Sequence, residues 1–317
     1  MRSTLMDQAE GLRTLVIETP CTTESSSLPL DHPGDSPSVK CPRVISITSG
    51  KGGVGKTNVV ANLALAFAQS GKNVLVLDAD LGLANIDVLL GLTPQYTIEH
   101  LFNRKKSLSE ILIKGPGGIS IMPASSGVLD LVDLDESQKI FLLNEIDLIT
   151  ENIDILLIDT GAGISSNVLY FNMAAQETIV IATSEPTSIT DAYALIKVLS
   201  TKFNKRDFMI LINFVVNDQE AKEVFKKISR VAERFLKSLS IDYLGFIPCD
   251  EKLRLAVKHQ RPVLENYPKA PSSKSFVELA KTLSERPIRN NGGGTIQFFW
   301  KQLVQYDRHV DRHGGTD

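Results

Sequence analysis

Residues 49–58 read SGKGGVGKTN. Gly50, Gly55, Lys56 and Thr57 satisfy the spacing G-x-x-x-x-G-K-[ST], which folds into a loop whose backbone N–H groups wrap around phosphate oxygens. In such a loop Gly50, Lys51, Gly52, Gly53, Val54, Gly55 and Asn58 form or flank the anion cradle. Lys56 places a point charge on the terminal phosphates, and the Thr57 hydroxyl binds Mg²⁺. Lys51 is a second lysine where the pattern needs one, so it is either an ordinary loop residue or a group with a separate task. The chemistry implied is phosphate-anhydride binding, with phosphoryl transfer to water wherever carboxylates stand nearby.

Two further segments supply carboxylates. DADLGLANID, residues 78–87, places Asp78 and Asp80 at the end of a strand pattern. Alternation puts both on one face, towards the phosphates; Asp78 also fits a second reading, as a cap of the loop that follows. LLIDTGAG, residues 156–163, ends an apolar run on Asp159, a position from which a carboxylate reaches Mg²⁺ through water. Gly161 and Gly163 are expected to make a mobile loop beside the terminal phosphate.

These groups need a scaffold, and the patterning provides one. RVISIT (43–48), NVLVLD (73–78), GISIMPA (118–124), IDILLID (153–159), ETIVIAT (177–183), DFMILINF (207–214) and DYLGFIP (242–248) read as strands. Helical spacing covers 57–69, with Val60, Leu63, Ala64 and Phe67 on one face, and the stretches 137–150, 188–201 and 218–238. Strands alternating with helices predict an α/β fold: a single P-loop NTPase domain, with a mainly parallel sheet of about seven or eight strands covered by helices on both faces. The expected organisation is a segment 1–18, a Ser/Thr/Pro-rich flexible linker 19–42, the NTPase domain 43–285, a hinge 286–294 containing NNGGG, and an apolar-aromatic tail 295–317.

Composition narrows the class. Over 317 residues, 43% are hydrophobic and 22% charged, which suits a globular domain. The net charge is −3, and nucleic acid is not expected as a partner. There is no apolar run of about 18 residues and no basic-then-apolar leader, so a cytoplasmic protein is expected. The three cysteines, Cys21, Cys41 and Cys249, form no C-x-x-C pair, and the five histidines have no metal-ligand spacing. An iron–sulfur centre is therefore not expected.

The doubled-lysine loop KGGVGKT, the D-x-D of Asp78 and Asp80, and IDTGAG together resemble the MinD/ParA family of deviant Walker-motif ATPases, from about residue 43 to 284. The resemblance implies ATP and ADP as ligands with Mg²⁺, and ATP hydrolysis. It implies that Lys51 reaches across a two-fold interface to the phosphates of a partner subunit, so that ATP holds a homodimer together. Asp80 would position the attacking water, and Asp78 and Asp159 would arrange the magnesium shell. At the base, Asn213 in LINF and Pro248 to Asp250 in IPCD match positions that contact adenine in the family; no N-K-x-D guanine reader is present. A P-loop metabolic ligase and a ParA-like DNA-positioning ATPase stand as alternatives.

The two ends of the chain point to a branch of the family. DQAEGLR supplies Asp7, Gln8, Ala9, Leu12 and Arg13, which match the D-Q-A-x-x-L-R activator of the flagellar-number regulators (FlhG, also FleN or YlxH). That resemblance implies binding to the SRP-type GTPase FlhF, contact with flagellar switch (C-ring) proteins and in some bacteria with a transcription activator, and peripheral association with the inner face of the cell membrane. In the tail, Ile296, Phe299, Trp300, Leu303 and Val304 follow i, i+3, i+4, i+7, i+8 spacing. Such an apolar helical face either lies in an anionic membrane surface or packs on the domain. Lys301, Arg308 and Arg312 are balanced by Asp307, Asp311 and Asp317, so one tail alone is expected to bind membrane weakly.

Overall fold

The computed structural model describes residues 42–80, 86–96, 98–122, 141, 144–146, 148–149, 152–236 and 239–287. The expected activator segment 1–18, the linker up to residue 41 and the apolar tail 295–317 lie outside the described residues, as does the hinge from residue 288.

The scaffold starts with β1 (Arg43–Ser49), which is buried along its whole length. The phosphate loop then leads into α1 (Lys56–Gln69), whose Val59, Val60, Leu63, Ala64 and Phe67 are buried. After Gly71 (φ +83°), β2 (Val74–Ala79) carries Asp78. Short helices α2 (Ile86–Leu89), α3 (Ile98–Phe102) and α4 (Leu108–Ile111) follow, then β3 (Ile113–Lys114) and β4 (Ser120–Met122). The second half alternates regularly: β5 (Ile155–Ala162), α5 (Ser166–Ala174), β6 (Glu177–Ala182), α6 (Pro186–Phe203), β7 (Asp207–Val215), α7 (Asp218–Phe235) and β8 (Ser240–Pro248). Three helices close the domain: α8 (Glu251–Lys258), α9 (Val263–Asn266) and α10 (Pro271–Glu285).

The strands form one eight-stranded sheet in the order β3-β4-β2-β5-β1-β6-β7-β8. Every pairing is parallel except β3 with β4. The seven strands expected from sequence are present; the eighth, β3, is a two-residue antiparallel edge with too little pattern to read. Alternate residues feed opposite faces. Ile45, Ile47, Leu157 and Ile181 pack with α1, α9 and α10, around Phe67 and Phe276. Val44, Leu156 and Ile158 pack with Tyr170 and Phe171 of α5, and Val180, Ile210 and Ile212 with α6 and α7. Each fully buried side chain of this size contributes roughly 1.5–3 kcal/mol, which sets the sheet as a rigid platform.

The C-terminal ends of β1, β2 and β5 lie side by side, and Asp78 pairs in register with Asp159. Crossovers from adjacent strand ends open a crevice there, where α/β sheets bind ligands. A buried polar network fixes α5, the helix after IDTGAG, against this platform. Ser46 Oγ donates to Asn172 Oδ1 (2.9 Å), and Asn172 Nδ2 donates to Thr48 Oγ1 (3.1 Å). Lys205 Nζ donates to the carbonyls of Asn172 (2.5 Å) and Ala175 (2.8 Å), capping the C-terminal end of α5. Burial pulls the Lys205 ammonium down to about 7, against the opposing charges of Asp207 and Glu177.

Candidate nucleotide site

Gly50 can stand at the head of the loop only because it has no side chain: a Cβ there would sit 2.1 Å from the Asp191 carbonyl oxygen at the N-terminal part of α6. Gly55 adopts φ +89°, left-handed backbone that suits glycine, and a Cβ on it would meet Asn213 Nδ2 at 2.5 Å. The loop therefore turns tightly and delivers the first turn of α1, with its free N–H groups, to the crevice.

The crevice is a cavity of about 990 Å³. Gly52, Gly53, Gly55, Lys56, Thr57, Asn58 and Asp80 are among the residues that line it. Val54 is buried in the core, and Gly50 is pressed against α6, so both shape the loop without facing the cavity. The two lysines take opposite environments. Lys56 is 8% exposed and faces the cavity. Lys51 turns away to the surface, where Nζ donates to Glu185 Oε2 (2.7 Å) and Thr187 Oγ1 (3.1 Å).

The three carboxylates also divide. Asp80 lies just beyond β2 and lines the cavity; a Cβ on Gly161 would sit 3.5 Å from its Oδ1, so Asp80 stands against the IDTGAG segment. Asp78 is wholly buried and accepts the N–H groups of Asp80 (3.2 Å) and Ile86 (3.2 Å). It caps the loop between β2 and α2, as the second sequence reading allowed, and does not share an exposed face with Asp80. Asp159 is wholly buried, and neither carboxylate oxygen has a hydrogen-bond partner. Burial holds its carboxyl up at about 7; the Lys56 ammonium and the Thr57 hydroxyl pull it down, and Asp78 and Asp80 push it up. An unpartnered buried carboxylate beside a threonine hydroxyl is an oxygen-donor set suited to a hard cation. Among the described residues no cluster of three or more His, Cys, Asp or Glu forms a cage. Mg²⁺ binds through few protein ligands plus water and phosphate, so one carboxylate and one hydroxyl suit it. The IDTGAG segment is tied to β1, since Gly163 N–H donates to the Ser49 carbonyl (2.9 Å) and Thr160 Oγ1 to that of Ile47 (3.1 Å).

The cavity is also lined by Val88, Leu89, Phe214, Leu253, Arg254, Val257, Lys258 and Gln260. None of these was legible as a site residue. Asn213, Pro248 and Asp250, the positions matched to base contacts, do not line the cavity. Asn213 is 1% exposed; its Nδ2 donates to the Val54 carbonyl (2.7 Å) and its Oδ1 accepts from Phe214 N–H (2.9 Å). Pro248 ends β8 beside Val215. Asp250 is a double helix cap: Oδ1 accepts from Lys252 N–H (2.8 Å), and Oδ2 from Ser272 N–H (3.1 Å) and Oγ (2.6 Å). Partial burial raises its carboxyl, but these bonds outweigh it and hold the group below the usual carboxylate range. Its residue type signals capping as strongly as binding, and only the fold separates the two.

Comparison with known proteins agrees with this geometry. Residues 45–263 match the CobQ/CobB/MinD/ParA nucleotide binding domain. The chain is 45% identical to the antiactivator FleN of Pseudomonas aeruginosa, over 83% of this chain and 94% of that protein. It is 32% identical to the flagellum site-determining protein YlxH of Helicobacter pylori, over 83% of this chain and 90% of that one. Among solved structures it resembles a chain of the MinC:MinD cell division protein complex of Aquifex aeolicus, with a TM-score of 0.62 and 27% identity, covering 80% of this chain and 100% of that one. With its doubled-lysine loop, buried Asp159 and cavity-facing Asp80, the chain belongs to the CobQ/CobB/MinD/ParA nucleotide-binding family and is a P-loop ATPase of the MinD/ParA kind.

Proposed function

We propose that this chain is an ATP-dependent dimerising switch that regulates flagellar number and placement. The reading is carried by the unlike environments of the two loop lysines. Lys56 is committed to its own cavity, whereas the Lys51 side chain is 40% exposed and its partner Glu185 63% exposed. Lys51 therefore stands on the surface, beside the phosphate loop and available to a second subunit. A cation delivered to phosphates only in the dimer links ATP occupancy to association.

Within one site the tasks divide. Lys56 and the loop N–H groups hold the phosphates; Thr57 and Asp159 would hold Mg²⁺, with Asp78 fixing the loop from which Asp80 projects. Bound Mg²⁺ supplies charge neutralisation between the phosphates. Asp80 orients the attacking water. Because a water-orienting group acts in the transition state more than in binding, Asp80→Ala is expected to keep ATP affinity and the ATP-dependent dimer. Its turnover should fall by about 10²–10⁴-fold. Unchanged turnover in a phosphate-release assay would remove Asp80 from that role.

The flagellar assignment is supported by the 45% likeness to FleN and the 32% likeness to YlxH. The finer roles rest on sequence outside the described residues. The arm bearing Asp7, Gln8, Ala9, Leu12 and Arg13 would stimulate FlhF, with Gln8 helping to order its hydrolytic water. A peptide of residues 1–20 is expected to accelerate GTP hydrolysis by the cognate FlhF, and Gln8→Ala to lose most of the effect. A silent peptide beside an active full-length protein would move the activator elsewhere. Switch (C-ring) proteins and a transcription activator are further partners on this reading. No helix among the described residues is long and apolar enough to cross a membrane. Attachment would use the apolar face of Ile296, Phe299, Trp300, Leu303 and Val304, two copies per ATP dimer adding avidity.

A further inference from the structure

Of the four non-glycine residues with positive φ among the described residues, two line the cavity, Phe214 (φ +58°) and Gln260 (φ +53°). Phe214 is the less expected. Bulky side chains avoid left-handed backbone, and residues held there cluster at ligand sites when the surroundings over-determine them. The surroundings do so here. Asn213 Oδ1 accepts the Phe214 N–H at 2.9 Å, while Asn213 Nδ2 is bonded to the Val54 carbonyl at 2.7 Å. The strained residue is thereby tied through one side chain to the phosphate loop. Its ring leans on that loop, with Cζ 3.3 Å from where a Cβ on Gly55 would be, yet the residue is 40% exposed. An aromatic ring is thus held in a costly backbone state with one side open to the cavity. Leu253 and Val257 of α8 also line the cavity, and are apolar.

We propose that Phe214 is the base platform of the nucleotide site: the purine stacks on its ring, and the apolar side of α8 borders the stack. The assignment rests on the nucleotide reading of the cavity and adds to it a statement about selectivity. Asn213, the amide expected to read the base edge, is 1% exposed, with both its oxygen and its nitrogen already engaged by the chain. Stacking tolerates any flat base, because every base has a π-face. Phe214 therefore contributes equally to adenine and guanine nucleotides and nothing to the phosphates.

The test is isothermal titration of the full chain with ADP, GDP and inorganic pyrophosphate in the presence of Mg²⁺, since pyrophosphate is a diphosphate without a base. Phe214→Gly removes the ring and suits the left-handed backbone, so its melting temperature should equal or exceed that of the parent. ADP and GDP should each bind Phe214→Gly about 5- to 100-fold more weakly, while pyrophosphate affinity stays within about twofold. Phe214→Tyr should restore ADP affinity. Equal weakening of ADP and pyrophosphate would mean that the ring only shapes the phosphate loop; unchanged ADP affinity would mean that the base lies elsewhere. Either result overturns the proposal while leaving the cavity a nucleotide site. A parent chain that bound neither ADP nor pyrophosphate would overturn that reading too.

Discussion

The cavity lining has two parts, meeting where Phe214 leans on Gly55, that are built on different principles. The phosphate side is made of charge: Lys56, Thr57, Asp80 and, beneath them, the buried Asp159. The base side is made of shape: Phe214 near the end of β7, and Leu253 and Val257 of α8. Each part also holds a residue that folding alone would do better without. Asp159 carries two buried oxygens with no partner, and Phe214 carries left-handed backbone. One cost is electrostatic and the other conformational. Both are expected where ligand binding, rather than folding, has set the residue.

The largest break in the comparison should come from the charged side. Lys56→Ala removes a largely desolvated cation from the phosphates, and ATP affinity is expected to fall by about 100-fold, since hydrogen bonds to charged groups contribute about 1.5–3 kcal/mol each. Titration calorimetry measures this directly. Pyrophosphate should weaken alongside ATP, the reverse of the split expected for Phe214. If Lys56→Ala left pyrophosphate binding intact, the charged side would be misplaced.

This asymmetry accounts for what was legible in the sequence. Lys56 and Thr57 could be read because the tight turn, the lysine and the hydroxyl are consecutive in the chain, and local geometry fixes their task. Asp159 could be read because a carboxylate that ends an apolar run in a buried parallel strand is costly to bury unless a cation or ligand meets it there. The sheet followed from runs such as IDILLID, whose burial on both faces leaves no alternation to confuse. Asp78 was harder, since a carboxylate at a strand end serves equally as a ligand and as a cap; its bonds to the N–H groups of Asp80 and Ile86 favour the cap. Phe214, Leu253 and Val257 were out of reach. A positive φ at a phenylalanine leaves no compositional trace, and α8 becomes part of the site only through the packing of the last strand. Asn213 was singled out by type, yet its amide is engaged by Val54 and Phe214.

A smaller effect should sharpen the parallel between the two parts. Asp159→Asn replaces a wholly buried carboxylate by a neutral amide of the same shape. Removing a desolvated carboxylate whose oxygens accept no hydrogen bond is expected to stabilise the nucleotide-free chain by about 2 kcal/mol, while Mg²⁺-dependent turnover is lost. Thermal unfolding with and without Mg²⁺-ADP reads both: the variant should melt higher than the parent alone and gain less from the ligand. A lower melting temperature for the free variant would mean that Asp159 is held by the fold and not reserved for a ligand.

Everything proposed for the switch depends on the two loop lysines acting on different subunits. Static light scattering decides it, applied to the parent, Lys56→Ala and Lys51→Ala, each with saturating ATP on a background of Asp80→Ala to stop hydrolysis. The Asp80→Ala parent should be a dimer. Lys56→Ala should be a monomer with ATP unbound, and Lys51→Ala a monomer with ATP still bound at near-parental affinity. A normal ATP dimer in Lys51→Ala, or loss of ATP binding equal to that of Lys56→Ala, would contradict the division of labour between the lysines.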